Sequence, residues 1–360
     1  MGGPEPRRAA PAPTLGNLTV GDLGEFGLIA HLARVLHGLG TDPLRPPAEG
    51  VIEIGDDAAL WQPSPGASEV LTTDALVEDV HFRLRTTSWE DLGWKALAQN
   101  VSDVAAMGAE PRRAFVTLGL RGTTSVADLE ALYAGMRALT EAYGPRVVGG
   151  DTVSSPTLFI SVSVVGELRG PGLRRGAGRA GNLLAVTGTL GGSAGGLEIL
   201  ELGGPTADDD ERALAALHRR PVPRVAEAGA LAAAGVRCGM DLSDGLLGDS
   251  GKLAYASGLA ATLRRDALPL HPALARRFPD RARSLALAGG EDFELLVAAP
   301  PATIERARAA LAEAGLVPLT VVGELHDGVS GSVRVLDANG DAVETPRTSW
   351  DHFAARTGDG

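Results

Sequence analysis

Short apolar runs of strand length are interleaved with long helical stripes in the first half of this chain. Their order, β-β-α-β-α-β-β, limits the possible fold more than any other feature. A strict βαβ repeat would place a helix between every pair of strands. Adjacent strands at both ends of the series call instead for an α+β layer, a mixed sheet with helices packed on it. The runs at 51–54, 69–73 and 114–120, then "RVVGGD" and "LFISVSVVGEL", supply the strands. A first helix is expected from Asp22, with Glu25 completing a capping box and Ile29, Leu32, Ala33 and Leu36 as its buried stripe. Ser88 with Asp91 opens a second helix, "WEDLGWKALAQNVSDVAAMG". Ser125 with Asp128 opens a third, whose stripe is Leu129, Leu132, Tyr133, Met136 and Leu139 and which Gly144-Pro145 ends.

At 360 residues the chain can build two cores. The segment "RGPGLRRGAGRAG" at 169–181 is the best boundary between them. Residues 1–20 are therefore expected to be a disordered tail, 21–168 an N-terminal domain and 169–356 a C-terminal α/β domain. In the second unit the strands are "LLAVTG", "MDLSDG", "LAATL", "DFELLVAA" and "PLTVVGEL", with helices near 193–203, 222–235, 246–257 and 302–314, a Pro-broken helical region, and a hairpin around Asn339-Gly340.

Composition excludes several classes. A net charge of −12 and a pI near 5.1 argue against nucleic-acid binding, which needs a basic stripe. No apolar run approaches the length of a membrane span, and "MGGPEPRRAAPAPTLGN" lacks the apolar stretch of a secretory signal, so the cytoplasm is expected. The single cysteine, Cys238, excludes an intramolecular disulfide and a multi-cysteine zinc site, and the seven histidines show no metal-type spacing.

What recurs is carboxylate at strand ends and inside helices: Asp56/Asp57, Asp74 after Thr72 and Thr73, Asp103, Asp151, and Asp241/Asp244 around Ser243. Each alone is compatible with a plain turn or, for Asp244, a helix N-cap. Asp103 is the exception, since a carboxylate in an apolar helix is costly unless paired; Asn100 lies on the same helical face. Together they suit hard divalent cations with oxygen ligands, above all Mg²⁺, at a polyphosphate site. No P-loop and no G-x-S-x-G elbow is present. "VTGTLGGSAGGLEIL" could cradle a phosphate on its amides, but tight packing explains its glycines more simply.

"IGDDAAL", "TTDALVEDVHF", "KALAQNVSDVAAMGAEP", "VVGGDT", "DLSDGLLGD", "GGEDFEL" and "WDHF" resemble, in order and spacing, the thiamine-monophosphate kinase family of the aminoimidazole ribonucleotide synthetase and selenophosphate synthetase superfamily. The resemblance runs from about Gly24 to Phe353. It implies a two-domain fold and transfer of the ATP γ-phosphoryl group to thiamine monophosphate. It also implies several Mg²⁺ ions and a homodimer joined through the N-terminal sheets. It assigns metal binding to Asp57, Thr72, Thr73, Asp74, Asp103, Asp151, Asp241 and Asp244. ATP would meet Gly150, Asp151, Arg175, Ser243 and Tyr133, although Tyr133 lies on an apolar stripe that favours core packing. The thiamine phosphate would meet His81, Glu291 and Trp350, with Asp103, Asp151 and Arg175 serving catalysis. Asn182 replaces the usual aspartate in "AGNLL", and the tail and the 37–50 loop are extra. Rival readings are another ATP-using enzyme of the superfamily and a silent Mg²⁺-nucleotide-binding protein.

Overall fold

The computed structural model describes residues 18–37, 51–54 and 57–345. Trp350, Asp56, the tail and most of the 37–50 loop lie outside them. In the first half, α1 (Val20–His37) precedes β1 (Ser68–Val77), α2 (Trp89–Ala106), β2 (Glu110–Leu120), α3 (Val126–Tyr143), β3 (Arg146–Ser154) and β4 (Phe159–Leu168). The strands form one sheet in the order β1-β4-β2-β3, antiparallel except for the β2–β3 pair.

One face of this sheet is covered by α2 and α3. Leu76, Val116, Ile160, Val162 and Val164 face them and join Leu97, Val101, Leu132 and Met136 in the first core. The other face carries Leu71, Thr73, Ala75, Phe115 and Asp151. A half-covered sheet produces the inside-outside alternation seen in "VLTTDALV".

Two expectations shift. The capping pair of α1 is Thr19 and Asp22, whose Oδ2 accepts from Thr19 N at 2.9 Å and Oγ1 at 2.7 Å, three residues ahead of the expected one. The run at 51–54 makes isolated bridges at Ile52, to Leu60, and at Ile54, not a strand.

The second half contains β5 (Leu183–Thr187), α4 (Gly192–Glu201), α5 (Asp209–Arg219), α6 (Val225–Ala233), β6 (Cys238–Asp241), α7 (Leu246–Ala256), β7 (Ala260–Arg264), α8 (Pro272–Arg277), α9 (Ala282–Ala288), β8 (Leu295–Ala299), α10 (Pro301–Glu313), β9 (Leu319–His326) and β10 (Val333–Leu336). Its six-stranded sheet runs β10-β7-β9-β5-β8-β6. Both faces are buried: Leu184 and Val186 enter one core with Leu253 of α7, and Ala185 enters another with Leu231 and Ile304. That is why "LLAVT" and "LLVAA" are continuously apolar. Helix α5 was not anticipated, and Asn339-Gly340 turns the chain back to an Ala342–Leu336 bridge. Asn182 closes a turn, its Oδ1 accepting from Arg179 N at 3.1 Å.

Helix α2 joins the halves. Its Val101 and Val104 belong to the first core and its Ala105 and Ala106 to a core of the second unit. Ser102 Oγ donates to Asp241 Oδ2 at 2.8 Å and Trp94 Nε1 to the Pro221 carbonyl at 2.8 Å. Among the described residues no helix is long and apolar enough to cross a membrane.

Candidate active site

Where α2 meets the end of β6, carboxylates from both halves gather. Thr72 and Asp74 are on the inner face of β1 because alternate residues of a strand share a face. Thr72 Oγ1 donates to Asp103 Oδ2 at 2.6 Å. Asp241, 2% exposed, ends β6. Asp244 follows in the loop to α7, and Asp249 is buried in the first turn of that helix.

These groups feel one another. Burial, then the negative charges of Asp103 and Asp244, push the Asp74 carboxyl up to about 6 against a hydrogen bond from Gln99. Burial, with Asp103 and Asp249 nearby, pushes Asp241 up to about 7, although Ser102 and Arg175 oppose the shift. Asp103 and Asp249 are raised too, chiefly by burial. Like charges held together out of water either take up protons or stay ionised beside a cation. Two side chains supply part of that positive charge: the Arg175 guanidinium lies close enough to favour ionised Asp103 and Asp241, and Lys252 Nζ donates to Asp249 Oδ1 at 2.8 Å and to Asp244. An all-oxygen, excess-negative set with a hydroxyl beside it fits Mg²⁺. Among the described residues no three acidic, histidine or cysteine groups already form a coordination shell.

Asp244 does not cap α7. Gly245 stands at that position, and Asp249 Oδ2 accepts from Asp244 N at 3.0 Å, which leaves the Asp244 carboxylate to Lys252. Gly245 (φ 100°) and Gly290 are required here, since added Cβ atoms would lie 2.9 Å from the Ala288 carbonyl and 2.5 Å from the Ser243 carbonyl. The two loops thus lie backbone to backbone, with Glu291 N donating to the Ser243 carbonyl at 2.8 Å. This carries Glu291 to within electrostatic reach of His81. Val77 N donates to His81 Nδ1 at 3.1 Å, so a neutral ring bears its proton on Nε2. Asp79 (φ 64°), Glu291 (φ 64°) and Phe293 (φ 50°) are the non-glycine residues with positive φ among those described, and two of the three flank this spot. A cavity of about 710 Å³ adjoins the carboxylates, lined by Arg175, Lys252, Tyr255, Ser330 and Val333 among others.

Other expected residues are not brought to this cluster within one chain. Thr73 and Asp151 lie on the opposite face of the sheet; Thr73 Oγ1 donates to the Val162 carbonyl at 3.2 Å and Asp151 Oδ1 accepts from Thr152 N at 2.8 Å. Gly150 neighbours Asp151 in β3, and Asp57 is exposed in the Ile52–Leu60 loop, which Glu53 ties to Arg146 at the start of β3. Tyr133 is packed in the first core. Four amides of "TLGGS" are occupied, two of them by Asp292, which accepts from Gly191 N at 2.7 Å and Ser193 N at 3.1 Å. Asp249, Lys95, Gln99 and Lys252 were missed. Asp249 gave the same signal as Asp103, a carboxylate in an apolar helix.

Comparison with known proteins identifies the family. The family model described as AIR synthase related protein, N-terminal domain, matches residues 55–168, and its C-terminal counterpart matches 179–336. The thiamine-monophosphate kinase of Bacillus subtilis is 33% identical over 337 residues, 92% of this chain and 100% of that protein. The chain belongs to the thiamine-monophosphate kinase family. Among solved structures, the thiamine-monophosphate kinase of Stenotrophomonas maltophilia superposes with a TM-score of 0.74 at 37% identity, covering 81% of this chain and 92% of that one. A structure described as AaThiL complexed with AMPPCP and TMP superposes with a TM-score of 0.72 at 34% identity, covering 92% and 98%.

Proposed function

We propose that the protein transfers the γ-phosphoryl group of ATP directly to the phosphate of thiamine monophosphate, giving ADP and thiamine diphosphate, the last step in making that coenzyme. The observation that carries this reading is the convergence of Asp74, Asp103, Asp241 and Asp244 beside Arg175, with His81 and Glu291 close by. The acceptor is already a phosphate oxyanion, so no base is needed to remove a proton; alignment and charge neutralisation suffice. Mg²⁺ held by these aspartates and Thr72 would neutralise phosphate charge. Arg175 would stabilise the transferring group, and Ser243 would contact the nucleotide in the adjoining cavity. His81 Nε2–H would donate to the acceptor phosphate, Glu291 would accept from its rings, and Trp350 would stack on them.

The working unit in this reading is a homodimer. The face of the N-terminal sheet away from the helices, where Leu71 is 71% exposed and Trp61 covers only the Phe115 end, supports it. A second copy on that face is the route by which Asp57, Thr73, Gly150 and Asp151 could serve a site that their own sheet walls off. The N-terminal unit would then supply the dimer contact, and both units the site.

Incubation with ATP, Mg²⁺ and thiamine monophosphate should yield thiamine diphosphate and ADP in equal amounts. ADP release that ignores thiamine monophosphate would point to another ATP-using member of the superfamily and sink the proposal.

A further inference from the structure

Lys95 is the largest fully buried side chain of the molecule's described part, 2% exposed in the middle of α2. A lysine out of water needs a carboxylate, and its partner comes from the other half of the chain: Nζ donates to Glu291 Oε2 at 2.8 Å. His218 of α5 touches both members of the pair, its Nε2 at 3.5 Å from Lys95 Nζ and its Nδ1 at 3.4 Å from Glu291 Oε2 and 3.0 Å from Ser193 Oγ. Burial and the adjacent Lys95 charge push His218 down to about 4, so at neutral pH it is an uncharged neighbour of Glu291 and Lys95 is the cation of the group. Glu291 is different in kind. Its side chain is 31% exposed, its backbone is in the left-handed region, and Oε1 takes no hydrogen bond among the described residues.

We propose that Lys95 is a positioning residue for acceptor binding: from inside α2 it fixes the Glu291 carboxylate in one orientation through Oε2 and leaves Oε1 for the acceptor. Lys95 is too deeply buried to touch the acceptor itself. The contact also crosses between the two units, so the acceptor recess is assembled only when α2 and the "GGEDFE" loop are docked. A carboxylate with one oxygen anchored and one free suits a ligand with a cationic ring and an N–H donor, as the thiazolium and aminopyrimidine of the acceptor provide. The inference rests on the reading of Glu291 as an acceptor contact.

The test compares Lys95→Met, Glu291→Gln and the double variant, with KM for thiamine monophosphate and for ATP measured separately. Lys95→Met should raise the acceptor KM by about 30-fold and leave the ATP KM unchanged. In the double variant, which leaves no orphaned buried charge, the acceptor KM should match that of Glu291→Gln alone. The inference is overturned if Lys95→Met leaves the acceptor KM unchanged while Glu291→Gln raises it, if the losses multiply in the double variant, or if both KM values rise together. An unchanged acceptor KM in Glu291→Gln would remove the reading of Glu291, and the role of Lys95 with it.

Discussion

In the proposed reading Asp103 serves chemistry at the expense of folding. Its carboxylate sits in an apolar helix beside Asp74 and Asp241, and its charge raises the cost of ionising both. Removing it relieves repulsion and loses one bond from Thr72. Asp103→Ala should therefore keep or raise the melting temperature while turnover falls on the order of 10²–10³-fold. Paired melting curves and rate measurements check this; wild-type turnover would refute the role. The exceptional character of Asp103 was legible because one residue in its own helix pattern was out of place. Lys95 broke the same pattern, yet its partner Glu291 lies 196 residues away, and no local rule couples such positions. For Asp244, turn and cap statistics left two uses open, and the choice depended on where Asp249 and Lys252 fall in space.

At the scale of elements, strands and long helices followed from periodicity, and their ends from capping residues, as with Ser88 Oγ, which accepts from Asp91 N at 3.1 Å. What periodicity cannot show is which of two capping pairs wins, hence the earlier start of α1. Helix α5 escaped notice because its acidic opening looks like a solvated loop. Its anchor is Glu211, which accepts from Thr206 N at 2.9 Å and Oγ1 at 2.7 Å and pairs with Arg277 of α8 at 2.8 Å. The Thr206 bonds, then Arg277, hold its carboxyl down to about 2 from 4.5. A folded value below the unfolded one means stabilisation that is complete above about pH 4.5 and lost as pH falls toward 2. Glu211→Gln should melt below the wild type at neutral pH, and the gap should narrow in melts recorded below about pH 4. A gap independent of pH would show that the ionised carboxylate does not brace α5.

For the whole molecule, the order of strands and helices implied an α+β first unit and an α/β second one, but which sheet faces are covered came from the packing of helices on them. The separation of Asp151 from Asp74 was invisible in the sequence, since strand order is a property of the sheet and β1 and β3 are its opposite edges. If the face of the N-terminal sheet away from the helices joins two copies, Leu71→Asp should change the sedimenting species from two chains to one and lower activity with it. A dimer that survives the substitution would place the contact elsewhere. The account depends most on acidic groups from both halves closing around divalent cations when nucleotide and acceptor arrive. Crystals grown with AMPPCP, thiamine monophosphate and Mn²⁺ in place of Mg²⁺ give the most direct measurement, anomalous difference density. The account predicts peaks between the nucleotide phosphates and Asp74, Asp103, Asp241 and Asp244; bound nucleotide with no peak there, and those carboxylates turned away, would contradict it.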